Sequence, residues 1–274
     1  MSSGVVVDKA FGNLLKQWRS QRNFSQLDLS VASSVSQRHI SFLESGRASP
    51  SRDMVLALSD VLDVPLRERN KMLTAAGFAA VYSEFDLNDI EVAPIRRALE
   101  FTLRQQEPYP ALVMDRYWNQ VMVNRGARRL LEWLIGEKAL PADIGSNLVK
   151  LMLHPQGIKG CVDNWEVVAT HLVRRVYRET RMEGQVAQSR SLLDSLLTYP
   201  KVAELQQSSV KENWQLPLLN TTFRKDGQRL SFFTTLTTLG TPQDITLQEL
   251  RLECLFPADD ETEAVFQSLF GDGD

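Results

Sequence analysis

Ser25-Gln26-Leu27-Asp28-Leu29-Ser30-Val31-Ala32-Ser33-Ser34-Val35-Ser36-Gln37-Arg38-His39-Ile40-Ser41-Phe42-Leu43-Glu44-Ser45-Gly46-Arg47 is the most informative stretch of this chain. Ser25 and Ser36 each precede an apolar periodic run, where a short polar side chain accepts the unpaired N–H groups of a helix start. Ser33-Ser34-Val35 breaks the pattern between them, Ile40 and Leu43 turn inward, and Gly46 supplies the residue that ends the second run. On the N-terminal side Phe11, Leu14, Leu15 and Trp18 recur at helical spacing and stop at Asn23. On the other side Pro50-Ser51 opens a helix bearing Val55, Leu58 and Leu62, and Pro65 opens one bearing Leu66, Asn70 and Leu73 that ends at Gly77. Residues 1–78 are therefore predicted to form an all-α domain of five short helices.

The second and third helices are separated by three residues, which makes a helix-turn-helix. Such a unit lays its second helix in the major groove of double-stranded DNA with the N-terminal side chains at base edges. Gln37 and Arg38 stand there, Ser41 lies on the same face one turn on, and Phe42 is placed to meet a thymine methyl. Ser36, Arg47 and Arg52 lie at helix ends suited to phosphate. Ser36 and Ser51 would cap their helices without any DNA, and Arg47 and Arg52 also fit plain solvated charges. His39 fits a phosphate contact or a contact to a second domain, and Leu27 and Val31, apolar at usually polar helix positions, fit domain docking. The whole stretch resembles the XRE, or lambda-repressor-like, family over about the first quarter of the chain. Two positions depart from it: Ser34 replaces the usual turn glycine and Ser30 the usual alanine. The resemblance implies a phosphate contact for Gln26 and an ion pair between Glu44 and Arg19.

At 274 residues the chain has room for about two domains. Its 43% hydrophobic and 24% charged residues are ordinary globular values and exclude a disordered or fibrous chain. No apolar run approaches the roughly 20 residues of a membrane span, and no secretory signal is visible, so a cytoplasmic protein without membrane contact is expected. Cys161 and Cys254 lie far apart and in no ligand spacing, so neither a disulfide scaffold nor a metal is expected, and no cofactor. Residues 1–80 hold ten Lys and Arg against seven Asp and Glu, a balance of plus 3, while the chain as a whole carries minus 3, leaving minus 6 for the rest. Only the front is built to meet a polyanion.

Residues 79–91 lack helical periodicity and carry Tyr82, Phe85 and four acids, the pattern of a linker that packs in part. Residues 92–106 return to helix, and residues 111–115 and 118–123 form two short strands before Asn124 caps a further helix. Strand, turn, strand, helix is a PAS-like opening. Residues 215–223, 229–239 and 245–255 read as an antiparallel meander, with helical stretches at 147–153, 164–182 and 188–197 between. Residues 92–274 are thus predicted as an antiparallel sheet with covering helices, and the chain as α+β. Leu250, Leu252, Cys254 and Phe256 alternate with Arg251, Glu253 and Leu255, and Phe232, Thr234, Leu236 and Thr238 form a second alternating set. This places Phe232, Thr234, Leu236 and Cys254 on an apolar face that is either a pocket wall or plain core. Trp118, His154, Trp165 and His171 are candidates for the rest of a lining, although a lone histidine serves equally well as a structural donor.

Pro108-Tyr109-Pro110-Ala111-Leu112-Val113-Met114-Asp115-Arg116-Tyr117-Trp118-Asn119, Leu153-His154-Pro155, Asn164-Trp165 and Thr238-Leu239-Gly240-Thr241-Pro242-Gln243-Asp244 together resemble the MmyB-like transcription regulators. The resemblance implies a bacterial regulator whose PAS-like domain binds a small hydrophobic or amphipathic, fatty-acid-like ligand. Because one recognition helix reads few base pairs, a homodimer on an inverted-repeat operator is expected. The alternative is an antitoxin-like DNA-binding protein whose C-terminal domain takes a protein partner. His154, Cys161, Asp163 and His171 are close in sequence, yet no nucleophile elbow, phosphate loop or metal-spaced cluster accompanies them, so no enzyme is expected.

Overall fold

The computed structural model describes residues 9–182, 187–207 and 220–271. The chain divides into two compact units, one comprising Met1–Phe85 with Thr241–Gln248 and the other Asp86–Gly240 with Glu249–Asp274.

The first unit is built on α1 (Ala10–Gln21), α2 (Gln26–Ser33), α3 (Gln37–Glu44), α4 (Arg52–Val61) and α5 (Leu66–Ala75). Phe11, Leu15, Trp18, Leu29, Ile40, Leu43, Leu58 and Met72 form one buried core. Ser25 starts α2 with a reciprocal capping box: its hydroxyl accepts from the Asp28 N–H at 3.1 Å, and the Asp28 carboxylate accepts from the Ser25 N–H at 2.8 Å. Ser34 then turns the chain at φ 58°, doing without glycine at a cost of about 1–2 kcal/mol. At Gly12 a Cβ would lie 2.4 Å from the Leu43 carbonyl oxygen, so α1 approaches α3 closely enough that only glycine fits.

The expected linker belongs to the first unit as far as Phe85. Asn70 accepts from the N–H groups of Val81 (2.9 Å) and Tyr82 (3.1 Å) and donates to the Tyr82 carbonyl (2.8 Å), while Arg67 pairs with Glu84. Residues 241–248, distant in sequence, join the same unit. Asp244 accepts from the Phe85 N–H at 3.1 Å, Ile245 donates to the Ser83 carbonyl at 2.9 Å, and Gln248 accepts from the Leu66 N–H at 2.7 Å. The last contact fills the start of α5, where Pro65 offers no side-chain cap.

The second unit opens with a 3-10 turn and α6 (Ala93–Gln105), then β1 (Ala111–Met114), β2 (Gln120–Val123), α7 (Arg125–Ile135), α8 (Leu148–Leu153), α9 (Trp165–Met182), α10 (Ala187–Leu197), α11 (Val202–Gln207), β3 (Asn220–Lys225) and β4 (Gln228–Thr237). After the short helix α12 (Ile245–Glu249), which up to Gln248 belongs to the first unit, β5 (Arg251–Pro257) and α13 (Asp260–Phe270) complete the second. The five strands form one antiparallel sheet in the order β2-β1-β5-β4-β3. One face carries Leu112, Phe223, Leu230, Phe232 and Leu255 into a core shared with α7, α8, α9 and α13, while α6 packs against β1.

Three boundaries differ from expectation. Residues 245–255 are not one strand: Asp244 caps α12 by accepting from the Leu247 N–H at 3.1 Å, and β5 begins only at Arg251. Within 215–223 the strand is described from Asn220, and the earlier residues lie outside the described part. β2 starts at Gln120 rather than Trp118, because the Asp115 carboxylate accepts from the N–H groups of Tyr117 (2.8 Å) and Asn119 (2.9 Å) and folds the intervening residues into a turn.

Candidate DNA interface and ligand cavity

Gln37 and Arg38 are exposed at the start of α3, with Ser41 half-buried one turn on. The Phe42 ring is half-buried and carries two guanidinium groups, Arg38 Cζ at 5.3 Å and Arg47 Cζ at 4.5 Å from its centroid. Phe42 is therefore a platform under two cations, which restricts their freedom and aims them outward. Arg47 Nε also donates to Ser45 Oγ at 2.8 Å. Arg52 is exposed at the first residue of α4, a position where the helix dipole disfavours a cation unless an anion is present. Among the described residues no carboxylate pairs with Arg38, Arg47 or Arg52.

Ser36 caps α3, its hydroxyl accepting from the His39 N–H at 3.3 Å. Gln26 is held inside the unit by donating to Glu44 Oε2 at 2.8 Å, and Glu44 also receives Arg19 Nε at 2.6 Å. The Arg19–Glu44 pair is thus present, and it orients Gln26 as well. Leu27 and Val31 are 56% and 77% exposed on α2.

In the second unit a cavity of about 100 Å³ lies between the sheet and helices α7–α9. Leu130, Leu131 and Leu134 of α7, Leu148, Val149 and Met152 of α8, and Val168 and Leu172 of α9 form its helical wall. Leu112, Thr221, Phe223, Thr234, Glu253 and Leu255 form its sheet wall, with Trp118 at one end. Of the lining expected from sequence, Trp118 and Thr234 are there. The other six are elsewhere. His154 ends α8, its Nδ1 accepting from the Gln156 N–H at 3.0 Å and its ring edge-on to Tyr199 at 4.9 Å. Trp165 donates to the Met152 carbonyl at 3.0 Å under Lys159 Nζ, 3.7 Å from its ring. His171 is exposed on α9, and Leu236 is 41% exposed. Phe232 is fully buried against Phe266, centroids 5.7 Å apart.

Cys254 illustrates why the alternation misled. The cavity face of β5 is the set Arg251, Glu253 and Leu255, and Cys254 lies on the opposite face. Both faces of the sheet are covered in part, so apolar content does not tell them apart. The charged members of the cavity face are accommodated by α9. Arg251 pairs with Glu179 at 3.0 Å, Arg175 pairs with the same carboxylate at 3.0 Å, and the Trp118 indole N–H donates to it at 3.1 Å. Both guanidinium groups lie on the Trp118 ring, at 4.8 and 5.4 Å, and Trp118 itself sits at φ 68°, a conformation that bulky side chains rarely adopt.

One family model, described as helix-turn-helix, matches residues 15–69, and a second, described as MmyB-like transcription regulator ligand binding domain, matches residues 95–269, well over half the chain. The chain belongs to the MmyB-like transcription regulators. No curated protein matches it. Among solved structures it is similar, at 15% identity and a TM-score of 0.28, to one titled "Structure of an RNA-binding Light-Oxygen-Voltage Receptor", over 97% of this chain and 62% of that one. The first match falls on the unit bearing Gln37 and Arg38 and the second contains every residue that lines the cavity, so this MmyB-like chain is a DNA-binding transcription regulator with a ligand-binding C-terminal domain.

Within the regulator's ligand-binding domain, sequence reasoning missed the leucine wall of α7 and α8 and the acid on the sheet. The α7 signal was available, since Leu130, Leu131 and Leu134 share one helical face. Glu253 carried none, because alternation assigned it to solvent. Burial pushes its carboxyl pKa up, opposed by the charge of Arg175 and the hydroxyl of Thr234. Of the residues close in sequence, Cys161 donates to the Leu134 carbonyl at 3.7 Å and Asp163 pairs with Arg224 at 3.1 Å. Among the described residues no group of three His, Cys, Asp or Glu could hold a metal ion, and no helix is long and apolar enough to cross a membrane.

Proposed function

We propose that the chain acts as a homodimer on an inverted-repeat operator, reading bases with Gln37 and Arg38 and gripping phosphates with Arg47 and Arg52. A small apolar or amphipathic ligand in the cavity changes operator affinity. The observation that carries this reading is the chain path between β4 and β5. Thr234 at one end and Glu253 and Leu255 at the other line the cavity, while the connection Thr241–Gln248 belongs to the helix-turn-helix unit and caps α5. A ligand that displaces either strand bears directly on that segment. Such a ligand regulates only if it binds the DNA-competent and incompetent states unequally, and linkage then makes DNA change ligand affinity by the same factor, typically about 5- to 150-fold.

The test is operator affinity, measured with and without a medium-chain fatty acid, for the wild type and for Thr234→Trp, which fills the cavity. Wild-type affinity shifts with the ligand, and the variant binds the operator but no longer responds. Equal affinity in all four conditions, with binding to the wild type established by calorimetry, rules out regulation through this cavity. Footprinting reads the dimer separately: two half-sites about one helical turn apart are protected.

A further inference from the structure

The turn between β1 and β2 is a tightly bonded unit that carries two buried side chains. The Asp115 carboxylate accepts from the Asn119 side chain at 2.9 Å as well as from the N–H groups of Tyr117 and Asn119, and the Asn147 side chain donates to the Tyr117 carbonyl at 2.7 Å. From this turn Trp118 enters the cavity wall, while Arg116 donates to Glu249 Oε1 at 2.5 Å, 133 residues further on. The side chains of this pair are only 6% and 16% exposed. Separating such a pair strands a charge in the interior, so the two residues are held together far more firmly than ions at the surface. Glu249 ends α12 and is the first residue of the second unit after Thr241–Gln248, and the preceding Gln248 accepts from the Leu66 N–H in the helix-turn-helix unit. The chain therefore passes between units at a peptide bond held on one side by α5 and on the other by the turn that bears Trp118.

A ligand cannot enter without moving a wall. An apolar cavity of about 150 Å³ admits a benzene-sized guest, so the 100 Å³ here is too small for a medium-chain acid with every side chain in place. The Trp118 ring is clamped, its N–H on Glu179 and its faces under Arg175 and Arg251, so pressure on it passes to the turn instead of being absorbed by rotation of the side chain. A second pocket of about 10 Å³, lined by Arg116, Trp118, Glu179 and Thr180 among others, leaves the turn room for a small shift. We propose that the Arg116–Glu249 pair is the positioning contact that couples the cavity to operator binding. A ligand seated against Trp118 shifts the turn, and the pair carries that shift to Glu249 and so to the Thr241–Gln248 segment. This rests on the cavity being the ligand site. Packed elements of this kind turn sub-ångström displacements into discrete rearrangements.

The test is the coupling factor, the ratio of decanoate affinities of the full chain with and without saturating operator duplex, measured by calorimetry for the wild type, Glu249→Gln and the double variant Arg116→Met/Glu249→Leu. The double variant removes both charges together and leaves no unpaired ion in the interior. A thermal melt establishes that each variant folds. In the wild type the factor is about fivefold or more. It falls about threefold or more in Glu249→Gln and to about unity in the double variant, while decanoate affinity without operator and operator affinity without decanoate each stay within about threefold of the wild type. The Trp118 indole N–H resonance, assigned with Trp118→Phe, shifts on decanoate binding in all three proteins, because the ligand still presses on the wall when the pair is gone. An undiminished factor in either folded variant, or a Trp118 resonance unmoved by bound decanoate, overturns the role of the pair and leaves the cavity reading standing. Absence of decanoate binding, or a wild-type factor of unity, overturns regulation through the cavity and this coupling with it.

Discussion

Phe42 and Trp118 each lie under two guanidinium groups, at 4.5 and 5.3 Å in one case and 4.8 and 5.4 Å in the other, and the two arrangements differ in what completes them. Beside Trp118, Glu179 pairs with both Arg175 and Arg251 and receives the indole N–H, so each guanidinium has a built-in partner and the ring, 3% exposed, serves as a wall. Beside Phe42 no carboxylate among the described residues closes the cluster, and Arg38 and Arg47 are exposed. The same aromatic platform is thus structural where a counter-charge is built in, and leaves two unmatched cations where it is not, the arrangement that the proposed function assigns to DNA contact.

The largest test of that difference is a pair of truncations. Trp118→Ala removes a buried ring, its hydrogen bond and the support of two arginines, and costs about 3–5 kcal/mol in chemical denaturation. Phe42→Ala costs about 1 kcal/mol of stability and is felt instead in DNA affinity. Equal losses of stability in the two variants would break the comparison. Next, Arg38→Ala costs about 1–3 kcal/mol at the operator and little on random DNA, whereas Arg47→Ala weakens both alike and lowers the salt slope by about 1. A specific-to-random ratio unchanged by Arg38→Ala would remove α3 from the groove.

A smaller effect concerns the connection between β4 and β5. Gln248→Ala leaves the Leu66 N–H without its partner and costs about 1 kcal/mol of stability, comparable to loss of a helix cap. Retained stability together with an undiminished ligand response would deny this segment its coupling role. The smallest effects are in pH, and their signs oppose. The Asp28 carboxyl is held below the usual carboxylate range by its bonds from the Ser25 hydroxyl and N–H, so its contribution is present above that range and is lost as pH falls through the lowered value. The Glu253 carboxyl, facing Arg175 and Thr234, is raised by burial, so its contribution is complete below the ordinary range and is lost as pH rises through the raised value. Denaturation across the acid-to-neutral range should lose its acid-side slope in Asp28→Asn and its opposing slope in Glu253→Gln. A slope unaltered in either variant assigns that pH dependence to other groups.

The first unit was legible because its signals are local. Ser25, Ser36 and Gly46 act on the turn next to them, and helical spacing says which side chains face inward without reference to any partner. Ser34, at φ 58°, shows that even the departure from glycine was absorbed at its own position. The cavity was less legible. Trp118 and Thr234 were found, but His154, Trp165 and His171 were weighed as lining when their roles depend on what α8, α9 and Tyr199 place beside them.

The order of residues alone determined the five helices, the turn between α2 and α3, the face carrying Gln37 and Arg38, and the existence of an antiparallel sheet with covering helices, because caps, breakers and periodicity act within a few residues. Tertiary structure decided which face of β5 meets the cavity, whether a pair of arginines finds an acid, and that Thr241–Gln248 joins a unit more than 150 residues upstream. Those outcomes depend on contacts between segments distant in the chain. A strand's alternation specifies two faces and carries no mark of which one a helix will cover or which will border a cavity.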